Sequence, residues 1–361
     1  MRFGFSDTGG GAAKAAESVR AAEGNTGRIF RVDSPWELAQ AGPNDLVQLL
    51  AAPGSTSMVV PKKHLDLLAV ALSGGELVHL HGETGTGKTA LIEALMMEPG
   101  NWQALCGMRG IPHKPLRVHA VEMVSYETPG ELYQRRAIRN GSTCDEESVI
   151  IASVREGIAS CDKYYNVIWL REMGRVHSAA VQGGLLNLLN RGMIRLPDGT
   201  LASGRGIAWI ADSNYHTEET ARHTLVDEDD ALSRRWTVSI PFKYMSPEEE
   251  VRVIRHLRGI GQIPDVDDEL VVKIVELGRA VRAQRSQGNL PSLAPPSLYG
   301  FFAFFRMHDA LRELSIQEVA EATLLGAASP SDREQVLGVF SEVFGLRIKG
   351  QEETVAKGDL L

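Results

Sequence analysis

Residues Gly82-Glu83-Thr84-Gly85-Thr86-Gly87-Lys88-Thr89 fit the pattern G-x-x-x-x-G-K-[ST], and their flanks restrict the fold more than any other stretch of the chain. The apolar segment Glu76–His81 runs into the pattern, and Ala90-Leu91-Ile92-Glu93-Ala94-Leu95 leaves it with helical character. The glycines let the backbone curl until successive N–H groups face one anion. The following helix adds the positive end of its dipole. The spacing predicts a phosphate cradle made of Gly82, Glu83, Thr84, Gly85, Thr86, Gly87, Lys88, Thr89 and Ala90. Lys88 is expected to reach β- and γ-phosphates, and the Thr89 hydroxyl to ligate Mg²⁺. The motif does not by itself choose between ATP and GTP.

Around this unit, apolar β-rich segments alternate with helical patterns: Glu76–His81, Leu116–Met123, Tyr165–Leu170, Ile207–Asn214 and Trp236–Phe242. Near-continuous apolar strands separated by helices predict a parallel sheet covered on both faces. After Met245 the pattern is helical only. Ser246 suits an N-cap and Pro247 the first helical turn. Helices are expected near Pro247–Leu257, Asp267–Arg282, Pro296–Leu314, Ser315–Leu325 and Ser331–Phe344. The predicted organisation is an N-terminal extension (1–45, with a helix around Ala12–Ala22), an αβα core (46–244), a helical lid (245–345) and a tail (346–361). Ala51–Ser57 is read as a linker.

The chain has 361 residues, 43% hydrophobic and 23% charged, which excludes a disordered or fibrous class. No apolar run approaches the ~20 residues that span a bilayer, and no secretory signal opens the chain. The expectation is a soluble, cytoplasmic protein without a membrane partner. The net charge of −8 counts against nucleic acid as the partner. Three scattered cysteines form no C-x-x-C pair. His79 and His81 share a strand face, without the further ligands a metal needs. The stripe Tyr299, Phe301, Phe302, Phe304, Phe305 is expected to be lid core, and Asp227–Asp230 a solvated loop.

A nucleotide-hydrolysing P-loop site also needs a carboxylate near the metal and a group that activates water. Asn166-Val167-Ile168-Trp169-Leu170-Arg171-Glu172 is an apolar run ending in an acid, so Glu172 is the candidate catalytic residue, at the tip of a parallel strand. Here the sequence resembles the MoxR-type branch of the AAA+ ATPases, close to dynein-related AAA domains. Arg171-Glu172-Met173-Gly174-Arg175 stands where that family has D-E-I-N-R, with a helix Val176–Asn190 after it. Gly192–Leu196 and Thr200–Ala202 around Pro197-Asp198-Gly199 resemble the family's inserted hairpin. Ala211-Asp212-Ser213-Asn214 resembles its sensor strand, and Ala231-Leu232-Ser233-Arg234-Arg235-Trp236 its A-L-L-D-R-F. Thr128–Leu132 resembles the start of its helix-2 region, with Arg136–Glu147 as an insert facing a central pore. The resemblance covers about Val59–Ala310.

The resemblance implies a P-loop AAA+ three-layer αβα core with a helical lid, ATP and Mg²⁺ as cofactors, and Asn214 orienting the attacking water beside Glu172. It implies Arg235 as an arginine finger reaching a neighbouring subunit, hence self-association into a ring such as a hexamer. It also implies a client or partner protein, such as one carrying a von Willebrand A domain. Two departures stand out: Arg171 replaces the family's Mg²⁺-supporting Asp, and Pro295-Pro296-Ser297-Leu298-Tyr299 lacks the lid arginine, with Arg306 two turns on. The expected function is an ATPase that slowly hydrolyses ATP to remodel or activate a partner. The alternatives are a hydrolysis-deficient nucleotide-held scaffold, and a nucleic-acid motor. On this reading Arg171→Asp raises turnover.

Overall fold

The computed structural model describes residues 27–345, apart from 53, 140, 177, 191, 215–229, 291–292 and 327–328. The expected helix around Ala12–Ala22, the tail 346–361 and most of the acidic run 227–230 lie outside the described residues. A small sheet comes first: β1 (Ile29–Arg31) runs parallel to β2 (Leu46–Gln48), which pairs antiparallel with β3 (Val59–Pro61). This pairing crosses the expected boundary between 45 and 46. Residues 27–45 contribute Phe30, Val32 and Leu38 to a buried core and are not an appended extension. The stretch expected as a linker, Ala51–Ser57, lies in the connection between paired strands: Leu49 N–H donates to the Met58 carbonyl at 2.8 Å.

The P-loop strand β4 (Leu77–Gly82) and β5 (Leu116–Glu122) follow, then an antiparallel hairpin of β6 (Gln134–Arg139) and β7 (Ser142–Glu147). Next come β8 (Tyr165–Arg171), a second hairpin of β9 (Met193–Arg195) and β10 (Leu201–Ser203), β11 (Ile207–Asn214) and β12 (Val238–Phe242). Five strands form one all-parallel sheet in the order β12-β4-β11-β8-β5. β4 therefore lies between β12 and β11. The segment expected as a pore-facing loop is the β6–β7 hairpin, with Ile138 79% exposed near its turn.

Side chains alternate between the faces of a strand. Val78, Leu80, Val167, Trp169, Ala208 and Ile210 pack with residues of helices Lys62–Ser73, Lys88–Met97 and Pro99–Arg109. Leu77, Ile168, Leu170, Ile207, Trp209 and Ala211 pack with residues of helices Val149–Ser160 and Ala179–Leu188. The predicted helix Val176–Asn190 is shorter, because a 3-10 turn, Met173–Arg175, precedes Ala179.

Beyond β12 come helices Pro247–Gly259, Asp268–Ser286, Leu298–Ala310, Ile316–Thr323 and Pro330–Phe344. Ser246 caps the first of them: its hydroxyl accepts from the Glu249 N–H at 3.2 Å, and Glu249 accepts from the Ser246 N–H at 2.9 Å. Phe301, Phe302, Phe304 and Phe305 are buried in the lid core as expected, whereas Tyr299 is 43% exposed. The small sheet joins the two regions. Ile29, Leu46 and Val59 belong to the lid core, and their neighbours Phe30, Val47 and Val60 to the core under the main sheet.

Candidate nucleotide site

β4 ends at Gly82, and the loop from Glu83 leads into helix Lys88–Met97. Glycine is required here on steric grounds. A Cβ on Gly82 (φ 148°) would lie 1.9 Å from the Phe242 carbonyl oxygen, and one on Gly87 (φ 94°) 2.8 Å from Met58 Cε. Ala90 lies in the first turn of the helix. Lys88 is 5% exposed. Its Nζ donates to the carbonyls of Gly82 (3.1 Å) and Glu83 (2.7 Å), inside the loop. Burial holds the ammonium down at about 8, against the opposing pull of Asp212 and Glu83. Thr86 Oγ1 donates to the Glu83 carbonyl at 2.8 Å. Thr84 accepts from the Tyr244 hydroxyl at 2.5 Å.

The Thr89 hydroxyl donates to Asp212 Oδ2 at 3.1 Å. Asp212 is 4% exposed, on β11, and its other oxygen accepts from the Trp169 indole N–H at 2.7 Å. Burial pushes this carboxyl up, while the Trp169 indole, the Thr89 hydroxyl, the Glu172 backbone N–H and Lys88 pull it down. A hydroxyl and a carboxylate converging beside a phosphate cradle are the oxygen donors Mg²⁺ takes together with phosphate and water. The residues present therefore fit this cation. Sequence reasoning quoted Asp212 but gave it no role; the signal was an acid inside an apolar strand.

Arg171 does not face the cradle. Its Nη1 donates to Glu122 at 2.6 Å on the neighbouring β5, its Nη2 lies 3.7 Å from Glu93, and its guanidinium stacks 4.8 Å from the Trp169 ring. The flanking carboxylates of Glu122 and Glu93 thus draw the Arg171 cation aside.

Glu172 and Asn214 stand at the sheet edge that carries the P-loop. Asn214 is exposed and in register with Gly82. Glu172 has φ 52°, the one positive φ outside glycine among the described residues, and its carboxylate pairs with Arg175 at 3.1 Å. Such strain concentrates at functional sites. Arg235 is not part of this cluster. It is exposed, two residues before Thr237, whose N–H donates to the Leu77 carbonyl at the opposite end of β4. The five steps of ~3.3 Å from Leu77 to Gly82 put that end of the strand about 17 Å from the P-loop.

A cavity of about 640 Å³ adjoins the loop, bounded by Gly85–Gly87, by Val60 of the small sheet and Met58 just before it, and by Tyr299 and Phe302 of the lid. Its size and apolar lining suit an aromatic base. Arg306, two turns beyond Pro295–Tyr299, donates to Thr56 Oγ1. Sequence reasoning also missed Arg282. Its Nε donates to the Pro296 carbonyl at 2.8 Å, it pairs with buried Glu250 at 2.8 Å, and it stacks 4.1 Å from the Tyr244 ring.

No family model matches the sequence, and neither does any curated protein. Among solved structures, the FIGL-1 AAA domain in complex with ADP aligns with 78% of this chain and 87% of that one, at 16% identity and a TM-score of 0.40. That likeness is remote, and no residue role is carried across from it. No helix among the described residues is long and apolar enough to cross a membrane.

Proposed function

We propose that this chain is an AAA+ type ATPase of the MoxR-like kind, which binds ATP at Gly82–Ala90 and hydrolyses it within a ring of like subunits. The observation that carries the reading is the P-loop itself: a strand, three glycines at positive φ and a buried Lys88 opening a helix, beside an apolar cavity. Phosphates would replace the Gly82 and Glu83 carbonyls as partners of Lys88. Mg²⁺, held through Thr89, supplies charge neutralisation of the phosphates when bound. Glu172 activates water and Asn214 orients it. Arg235, at the far end of the sheet, serves the site of a neighbouring subunit. Hexameric assembly, remodelling of a client protein with or without a von Willebrand A partner, and a cytoplasmic setting belong to the same reading.

A nucleotide-held scaffold with little turnover remains the second reading. Its support is the lid, where Arg306 is engaged by Thr56. Arg171, which stands where the resemblance expects an acid and is turned to Glu122, is its second support. Equilibrium binding of a fluorescent ATP analogue to wild type and Lys88→Ala tests the assignment. Loss of binding in a folded variant is expected; equal affinity overturns it.

A further inference from the structure

We propose that Asp212 on β11, in place of any residue at position 171 on β8, is the carboxylate that holds the nucleotide's Mg²⁺, and that the Trp169 indole keeps it in position. The inference rests on the nucleotide-site reading and specifies its metal.

Four observations converge on it. First, Asp212 is in register with Leu80 on β4, the strand that feeds the P-loop, whereas β8 lies one strand further out. A side chain on β11 directed at the P-loop helix reaches Thr89 directly, and Thr89 Oγ1 lies 3.1 Å from Asp212 Oδ2. Second, the two Asp212 oxygens have different partners. Oδ1 is taken by the Trp169 N–H at 2.7 Å, while Oδ2 has the rotatable Thr89 hydroxyl. When a cation binds, that hydroxyl can turn its oxygen lone pair to the metal and keep its proton on Oδ2. An indole N–H can only donate, so Trp169 fixes the rotamer without competing for metal.

Third, the Trp169 ring is buried in the core cluster that also holds Leu91, Ile92 and Leu95 of the P-loop helix. Arg171 lies over that ring and is held by Glu122 and Glu93. The charge at position 171 is thus paired with Glu122 and Glu93, while Asp212 is engaged by Thr89 and Trp169. Fourth, Asp212 is a buried acid in a strand otherwise lined by Ala208 and Ile210 on that face. Burial of a carboxylate is costly unless it is paired or coordinates metal, and within the chain its cationic neighbour is Lys88, the phosphate-binding lysine.

The experiment separates metal from nucleotide. Affinity for a fluorescent ADP analogue is measured on the full chain in EDTA and across a Mg²⁺ titration, and Mn²⁺ binding in the presence of ADP is read by electron paramagnetic resonance. Asp212→Asn is expected to keep its affinity in EDTA and to lose about 100-fold or more in Mn²⁺ affinity, and Trp169→Phe to lose about tenfold, the lower end of the range for a supporting donor. Asp212→Cys should transfer the metal preference from Mg²⁺ to Cd²⁺, because a thiolate selects softer cations. That readout does not move if Asp212 merely supports the fold. Arg171→Ala should leave Mn²⁺ affinity unchanged. Wild-type Mn²⁺ affinity in Asp212→Asn, or absence of a Cd²⁺ preference in Asp212→Cys with EDTA-state nucleotide binding intact, overturns the inference. Absence of nucleotide binding by wild type in EDTA and in Mg²⁺ alike overturns the site reading as well, and with it this one.

Discussion

The Tyr244 hydroxyl donates to the Thr84 carbonyl at 2.5 Å, so the segment that opens the lid holds the P-loop directly. Burial raises this phenol to about 12, which keeps its proton in place throughout the working range. Tyr244→Phe removes one hydrogen bond worth about 1 kcal/mol and leaves the ring under Arg282. Stability is expected to fall by about 1 kcal/mol, and nucleotide affinity by up to about fivefold where the loosened loop must be re-ordered by the ligand, measured by denaturant midpoint and by titration of a fluorescent analogue.

Glu250 and Arg282 form the most buried ion pair with both side chains described, at 3% and 12% exposure and 2.8 Å. Removing one partner strands the other in low dielectric. Arg282→Ala is expected to lose about 3–5 kcal/mol, while Arg282→Met with Glu250→Leu recovers most of it. Urea unfolding of the two variants checks the order; equal stability of the single and double variants contradicts it.

His64 lies against Phe242 at 4.8 Å between ring centres, and burial, with Lys63 nearby, holds its pKa down at about 4 from an ordinary 6.5. The folded state therefore stays unprotonated where the unfolded chain takes up a proton. The stability this confers is complete above pH 6.5 and is lost as pH falls through 6.5 towards 4, with a slope of about 1.4 kcal/mol per pH unit. His64→Leu should remove about one proton's worth of that slope. Denaturant midpoints at pH 7, 6 and 5 measure it.

Arg171→Asp restores the acid that the AAA+ resemblance leads one to expect, yet it is predicted not to raise turnover. The new carboxylate would stand between Glu122 and Glu93, whose shared cation is gone. A loss of about 1 kcal/mol in stability is expected from the like charges. Phosphate release with Mg²⁺ titrated tests it; faster release by the variant contradicts the prediction.

Arg235→Ala should leave nucleotide affinity intact and lower turnover by about 10³–10⁵, the range for an arginine finger. Mixing it with Glu172→Gln subunits should restore part of the activity, because some interfaces then combine an intact finger with an intact base. Activity that is concentration-independent and unaffected by mixing contradicts a site shared between subunits.

The P-loop was legible because its residues are contiguous and its flanks announce strand and helix. The main strands were legible for a similar reason: Val167–Leu170 and Ile207–Ala211 are apolar on both faces, as a covered parallel sheet demands. Ser246 and Pro247 placed the first lid helix to within two residues at its end. What escaped depends on contacts remote in sequence. Asp212 meets Thr89 across 123 positions, and Tyr244 meets Thr84 across 160. β1, three residues long, has no signal of its own and exists because Leu46–Gln48 pairs with it. Arg171 read as an obstacle because its neighbours on β5 and on the P-loop helix are invisible in one dimension.

The small sheet has a mechanical consequence. Each of its three strands sends one side chain into the lid and the next into the core under the main sheet, and Val60, with Met58 just before β3, also walls the cavity beside the P-loop. It works as a keystone: a swing of the lid must shear one of its faces, and that shear arrives where the base would rest. On the proposed reading, nucleotide occupancy and lid angle would be one mechanical coordinate. A chain trimmed to begin at residue 46 would lose Ile29 from one core and Phe30, Val32 and Leu38 from the other, and so uncouple the two while leaving the phosphate loop intact.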